Sequence, residues 1–120
     1  MKRPVKRAFP RARRIEAAIR DSVASMVLKG ELKDPRLKQI VISGVEVSRD
    51  LQVATIYFIV LGERDQGVLA EQRKALGHAA GYIQRRLAHE LELRRAPELR
   101  FLVDESFEQG SRIDELLRNL

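Results

Sequence analysis

A chain of 120 residues has room for one domain, and without cysteine it has no disulfides or thiolate metal sites, so packing must hold it together. Lysine and arginine number 23 against 17 acidic residues, a formal net charge of +6 with a pI near 10.2, which favours a polyanionic partner. No apolar run approaches the roughly 18 residues that span a bilayer, and the basic start has no apolar block behind it, so a membrane span and a secretory signal are not expected and a cytoplasmic protein is.

The chain opens with Lys2, Arg3, Lys6, Arg7, Arg11, Arg13 and Arg14, all ahead of the first acid, Glu16. Residues 1–10 read as a flexible basic segment and 11–120 as one domain. Such a segment serves solubility or touches a polyanion, without specifying which. Arg11, Arg13 and Arg14, just after it, are the candidate phosphate contacts. From about 12 to 29, Ile15, Ala18, Ile19, Ser22, Val23, Met26 and Val27 recur at three and four residues, which predicts a helix with one buried stripe. Glu16 and Arg20 are placed to pair on its other face, and Gly30 to end it in a left-handed conformation. In ELKDPRL, Asp34 before Pro35 is pushed out of helical angles, giving a loop. Leu37 is expected in the core, and Arg36 is the loop residue expected to touch a partner.

QIVISGVEVS and LQVATIYFIV are rich in β-branched and aromatic residues and are separated by Ser48, Arg49 and Asp50, which predicts a hairpin. Gly62, Gln66 and Gly67 lead into a long helical run that Pro97 ends. Two interior glycines, Gly77 and Gly81, each cost about 1 kcal/mol there relative to alanine. A straight helix over 67–93 measures about 40 Å and overhangs a small sheet, so a break into two helices is expected at Gly81, after Ala79 and Ala80. ELRFLVD reads as a third strand, and Ser111 with Asp114 as the start of a weak terminal helix before Leu116, Leu117 and Leu120. The order predicts an α+β domain with a three-stranded sheet and its helices on one face.

An enzyme is not supported. The histidines, His78 and His89, stand alone, no hydrolase, zinc-protease or nucleotide-loop signature is present, and Glu90, Glu92, Asp104 and Glu105 read as solvated charges.

Four stretches in order, KDPRL at 33–37, SGVEVSRDLQVATIYFIVLG at 43–62, AAGYI at 79–83 and LRRAPELRFLVDES at 93–106, resemble the bacterial ribosome-binding factor A family. That resemblance covers about residues 11–114. It implies a type II K-homology-like fold, helix-strand-strand-helix-kink-helix-strand. Ordinary K-homology domains clamp a backbone with a GXXG loop, which this chain lacks. The resemblance implies instead an Ala-x-Gly kink on Ala79, Ala80 and Gly81, where bare backbone and the start of a following helix admit a phosphate. RNA contacts are then implied at Ala79, Gly81, Tyr82, Gln84, Arg85 and Arg86. Gln84 stands where the family pattern has a basic residue, a loss that Arg85 and Arg86 are expected to offset.

The function so implied is that of a monomeric, non-catalytic assembly factor that binds the immature 30S ribosomal subunit and 16S rRNA. It supports 16S rRNA 5′-end processing and cold adaptation, with no cofactor, metal or small-molecule substrate. A K-homology-like single-strand binder outside the ribosome and a protein-interaction adaptor are the other readings. A chain with 5% aromatic residues and no tryptophan offers few stacking platforms to the former.

Overall fold

The computed structural model describes residues 10–37, 39–62 and 65–105, so the first nine residues and the expected terminal helix at Ser111 lie outside the described residues. Helix α1 spans Pro10–Leu28. Its buried stripe falls at Ala12, Ile19, Val23 and Met26, with Ile15 and Val27 packed beside it, on the spacing that predicted the helix. Gly30 ends the helix at φ 69°, and the Glu31 N–H reaches back to the Met26 carbonyl at 3.0 Å. Glu16 is not paired with Arg20. Its carboxylate accepts the Val47 N–H at 2.8 Å and ties α1 to the sheet, while Arg20 lies 3.5 Å from Asp21. A charge-assisted bond to a backbone donor outweighs an exposed pair along one helix, worth a few tenths of a kcal/mol.

A single 3₁₀ turn, Pro35–Leu37, follows and delivers Leu37 to the core. Strands β1 (Ile40–Val47) and β2 (Val53–Val60) form the antiparallel hairpin, and β3 (Glu98–Val103) lies parallel beside β2, giving the order β1-β2-β3. In β2 the core takes every second residue, Ala54, Ile56, Phe58 and Val60, so both helices cover one face of the sheet. This is the K-homology-like α+β arrangement that the element order predicts. No helix among the described residues is long and apolar enough to cross a membrane.

Helix α2 corrects one expectation. It runs unbroken for 25 residues, Gln66–Glu90, through Gly77 and Gly81. At about 1.5 Å per residue it outruns an eight-residue strand, as the sequence suggests. The excess is not left bare, because its first turns bury Leu69, Ala75 and Leu76 and are fastened to the 3₁₀ turn where Arg36 Nη1 meets Glu71 Oε2 at 3.2 Å. Ile83 and Leu87 hold the other half in the core. With both halves anchored, the two glycines weaken the helix without interrupting it.

Asp104 is a second correction. It is 2% exposed rather than solvated, and its Oδ2 accepts the Ser43 hydroxyl at 2.6 Å from the bulge between Ile42 and Gly44. Another buried polar residue, Gln72, leaves its Oε1 without a hydrogen-bond partner. Gln72→Met keeps the shape and removes that desolvated carbonyl, so urea unfolding is expected to show a gain of about 1 kcal/mol.

Candidate nucleic-acid interface

The exposed side of α2 is built on helical spacing. At about 3.6 residues per turn, Lys74, Gly77, His78, Gly81 and Arg85 share one face, and all five are exposed. A Cβ at Gly77 would meet nothing within 4 Å, and one at Gly81 would meet only Arg85 Nη1, at 3.5 Å. The result is a strip of bare backbone with Lys74 and Arg85 at its ends and His78 between. Beside it, Lys33, Asp34, Pro35, His78 and Ala79 frame a dent of about 380 Å³. A sugar-phosphate chain fits such a strip because nothing projects from the two glycines and every charged side chain on it is basic. The helix N-terminus itself is not an anion site: Asp65 caps it, accepting the N–H groups of Gly67 and Val68 at 2.8 and 3.2 Å.

The sequence-predicted residues divide into those free to meet a partner and those already engaged. Arg85 is exposed on the strip, Gly81 is its bare centre, and Ala79 is half-buried against the core beneath it. Because α2 continues through Gly81, no second helix start opens there, and the free N–H groups expected of a kink are absent. Tyr82 and Arg86 are occupied. Glu31 Oε2 accepts the Tyr82 hydroxyl at 3.1 Å and Arg86 Nη1 at 2.6 Å, while Arg86 Nη2 meets Glu90 Oε1 at 2.6 Å. Gln84 donates its amide to the Pro97 carbonyl at 2.9 Å, fixing the loop before β3.

Arg11, Arg13 and Arg14 are exposed at the start of α1 and, among the described residues, pair with no carboxylate. They do not sit beside Gly81. Ser22 bonds to Glu90 and Glu31 to Tyr82, so α1 and α2 run antiparallel and the start of α1 lies beyond the far end of α2. There Arg11 shares a cleft with Arg94 and Arg95. Lys74, Arg94 and Arg95 join the candidate site only in the structure, although the helical spacing of Lys74, His78, Gly81 and Arg85 is present in the sequence. Arg36 is likewise a clamp between Asp34 and Glu71 rather than a free contact.

The Ser22 hydroxyl, and after it Arg86, hold the Glu90 carboxyl below its ordinary range. A depressed carboxyl contributes stability above its unfolded value and loses it as pH falls through the folded one. Glu90→Gln is therefore expected to lower the urea midpoint at pH 7, with the difference from the parent shrinking as pH falls through the depressed Glu90 value and the carboxyl takes up its proton.

The comparisons with known proteins agree with this architecture. The family model described as ribosome-binding factor A matches residues 11–117. The ribosome-binding factor A of Magnetococcus marinus is 47% identical over 111 residues, 92% of this chain and 88% of that protein. The crystal structure of ribosome-binding factor A from Thermus thermophilus superposes with a TM-score of 0.66 at 26% identity, over 78% of this chain and 97% of that one. A homology model of the Thermus thermophilus factor, fitted into a cryo-electron microscopy map of its complex with the 30S subunit, gives 0.59 at 28% identity, over 74% and 90%. By sequence over nearly its whole length and by fold, the chain belongs to the ribosome-binding factor A family.

Proposed function

We propose that this chain is a non-catalytic assembly factor of the small ribosomal subunit, which docks on the immature 30S particle, contacts 16S rRNA and supports maturation of its 5′ end. The observation that carries the RNA contact is the α2 strip, where Lys74, His78 and Arg85 border exposed backbone at Gly77 and Gly81. The subunit and the maturation role rest on family membership and on the 30S complex of the Thermus thermophilus relative. On this reading the protein acts in the cytoplasm as a monomer, matters most for growth in the cold, where misfolded rRNA escapes slowly, and leaves precursor rRNA uncut on its own.

Co-sedimentation tests it. The protein is expected to pellet with 30S subunits and not with 50S or 70S particles, and cells lacking it are expected to accumulate 16S rRNA with an extended 5′ end. Equal pelleting with all particles, or with none, overturns the assignment. Replacing Arg11, Arg13 and Arg14 by glutamine is expected to weaken 30S binding and flatten its log-log salt dependence by about 0.7 to 0.9 per lost phosphate contact. Because all three are exposed, the melting temperature should barely move.

A further inference from the structure

A cleft of about 530 Å³ opens where the start of α1, the β1-β2 turn and the loop after α2 meet. Its floor is apolar, formed by Ile15, Leu51, Leu93 and Pro97, and its rim carries Arg11, Arg94 and Arg95. The three arginines are exposed, and among the described residues none pairs with a carboxylate. Two acids, Asp50 and Glu98, also line the cleft. Asp50 accepts the Ser48 hydroxyl at 2.7 Å and the Gln52 N–H at 3.2 Å, and Glu98 lies 3.7 Å from Arg100. The walls are also fixed in advance. Leu51 and Glu92 hold left-handed angles, φ 62° and 51°, that residues with a Cβ resist, and the Leu93 N–H, the Glu98 N–H and the Gln84 amide bond to Ala88, Gln52 and Pro97.

We propose that this cleft seats one unpaired nucleotide of a single-stranded RNA segment, its base on the apolar floor and its flanking phosphates at Arg11, Arg94 and Arg95. This rests on the reading of the chain as an rRNA binder and names a second contact for it. The volume lies within the range of about 300 to 1,000 Å³ typical of small-ligand clefts, enough for a base and sugar. Guanidinium groups match phosphate geometry and desolvate more readily than ammonium groups, and all three rim cations are arginine. A duplex keeps its bases inside, so a concave apolar floor is of use only to a base turned out of its strand. Preformed walls reduce the ordering cost of binding.

Fluorescence anisotropy with a short labelled single-stranded RNA, and with a duplex of the same length, tests the proposal on the full chain. Arg94→Gln with Arg95→Gln removes two phosphate contacts and is expected to flatten the salt slope by about 1.4, so a rise in KCl from about 50 to 200 mM weakens the parent about sevenfold more than the variant. Ala96→Met fills the cleft without touching charge and is expected to weaken single-strand binding about tenfold with the slope unchanged, leaving duplex binding as it was. Parent-like single-strand affinity and slope in the arginine variant, whose changes are on exposed side chains, overturn the proposal whatever Ala96→Met does. A polyglutamate peptide that displaces the RNA from the parent but not from the arginine variant reassigns the cleft to an acidic peptide and overturns it too. Pelleting with 30S subunits separates the two readings. A parent that pellets while the arginine variant binds RNA unchanged leaves the ribosomal function and removes the cleft; a parent that fails to pellet while the cleft variants lose single-strand binding does the reverse.

Discussion

Leu37→Ala is expected to lower the free energy of unfolding by about 2 to 4 kcal/mol, read as a drop in the urea midpoint without a change of slope. Leu37 is 4% exposed and belongs to the same apolar cluster as Ile19, Met26, Ile40 and Phe58. The size of the loss depends on whether the surroundings collapse into the space left behind. Here they are held open. Arg36, the preceding residue, is fixed twice, with its Nη2 2.8 Å from Asp34 and its Nη1 3.2 Å from Glu71 on α2, and the Asp34 carboxylate also accepts the Arg36 N–H. The turn therefore stays in place and the cavity remains. Arg36→Gln should cost far less, because both ion pairs are partly exposed and such pairs contribute little. Variants of Leu37 that fold should retain 30S binding, since the side chain never reaches the surface. An unchanged midpoint for Leu37→Ala would place that side chain outside the core.

The fold was legible wherever one periodicity decided it. The stripe of α1, the left-handed Gly30, the hairpin around Ser48 to Asp50 and the alternation of Leu99, Phe101 and Val103 in β3 are local patterns, and each appears in the structure where local chemistry put it. The unbroken α2 was not legible, because whether a long helix breaks depends on what supports its ends, and Glu71 meets Arg36 across 35 residues of chain. The same limit applies to Asp104, whose burial depends on Ser43 on another strand. At the site, residue type indicated a basic surface but not which cations are free. Arg85 and Arg86 are adjacent in sequence, yet one lies open over Gly81 and the other is locked between Glu31 and Glu90. Helix periodicity separates them by about 100°, and the turn after α1 brings Glu31 to Arg86, where Glu90 of α2 meets it from the next turn.

Replacing both Gly77 and Gly81 by alanine is expected to stabilise the domain by about 2 kcal/mol, about 1 kcal/mol at each position, while weakening 30S binding about tenfold. The stability gain follows from the geometry. Neither glycine is left-handed, both lie inside α2, a Cβ at Gly77 meets no atom within 4 Å, and one at Gly81 meets only the mobile end of Arg85. Alanine then restricts the unfolded chain without straining the folded one. Binding should move the other way, because two methyl groups would stand on the strip where the sugar-phosphate backbone is proposed to lie, the one at Gly81 3.5 Å from Arg85 Nη1. Gly81→Val extends the test, adding more bulk at the strip with less gain in helix propensity, so it should bind more weakly than Gly81→Ala without being more stable. Opposite signs of stability and affinity in the same protein are difficult to obtain from misfolding, which lowers both. If the double alanine variant is more stable and binds 30S as the parent does, the glycines have no part in docking, and the contact must be carried by the arginines at the start of α1 and around the cleft.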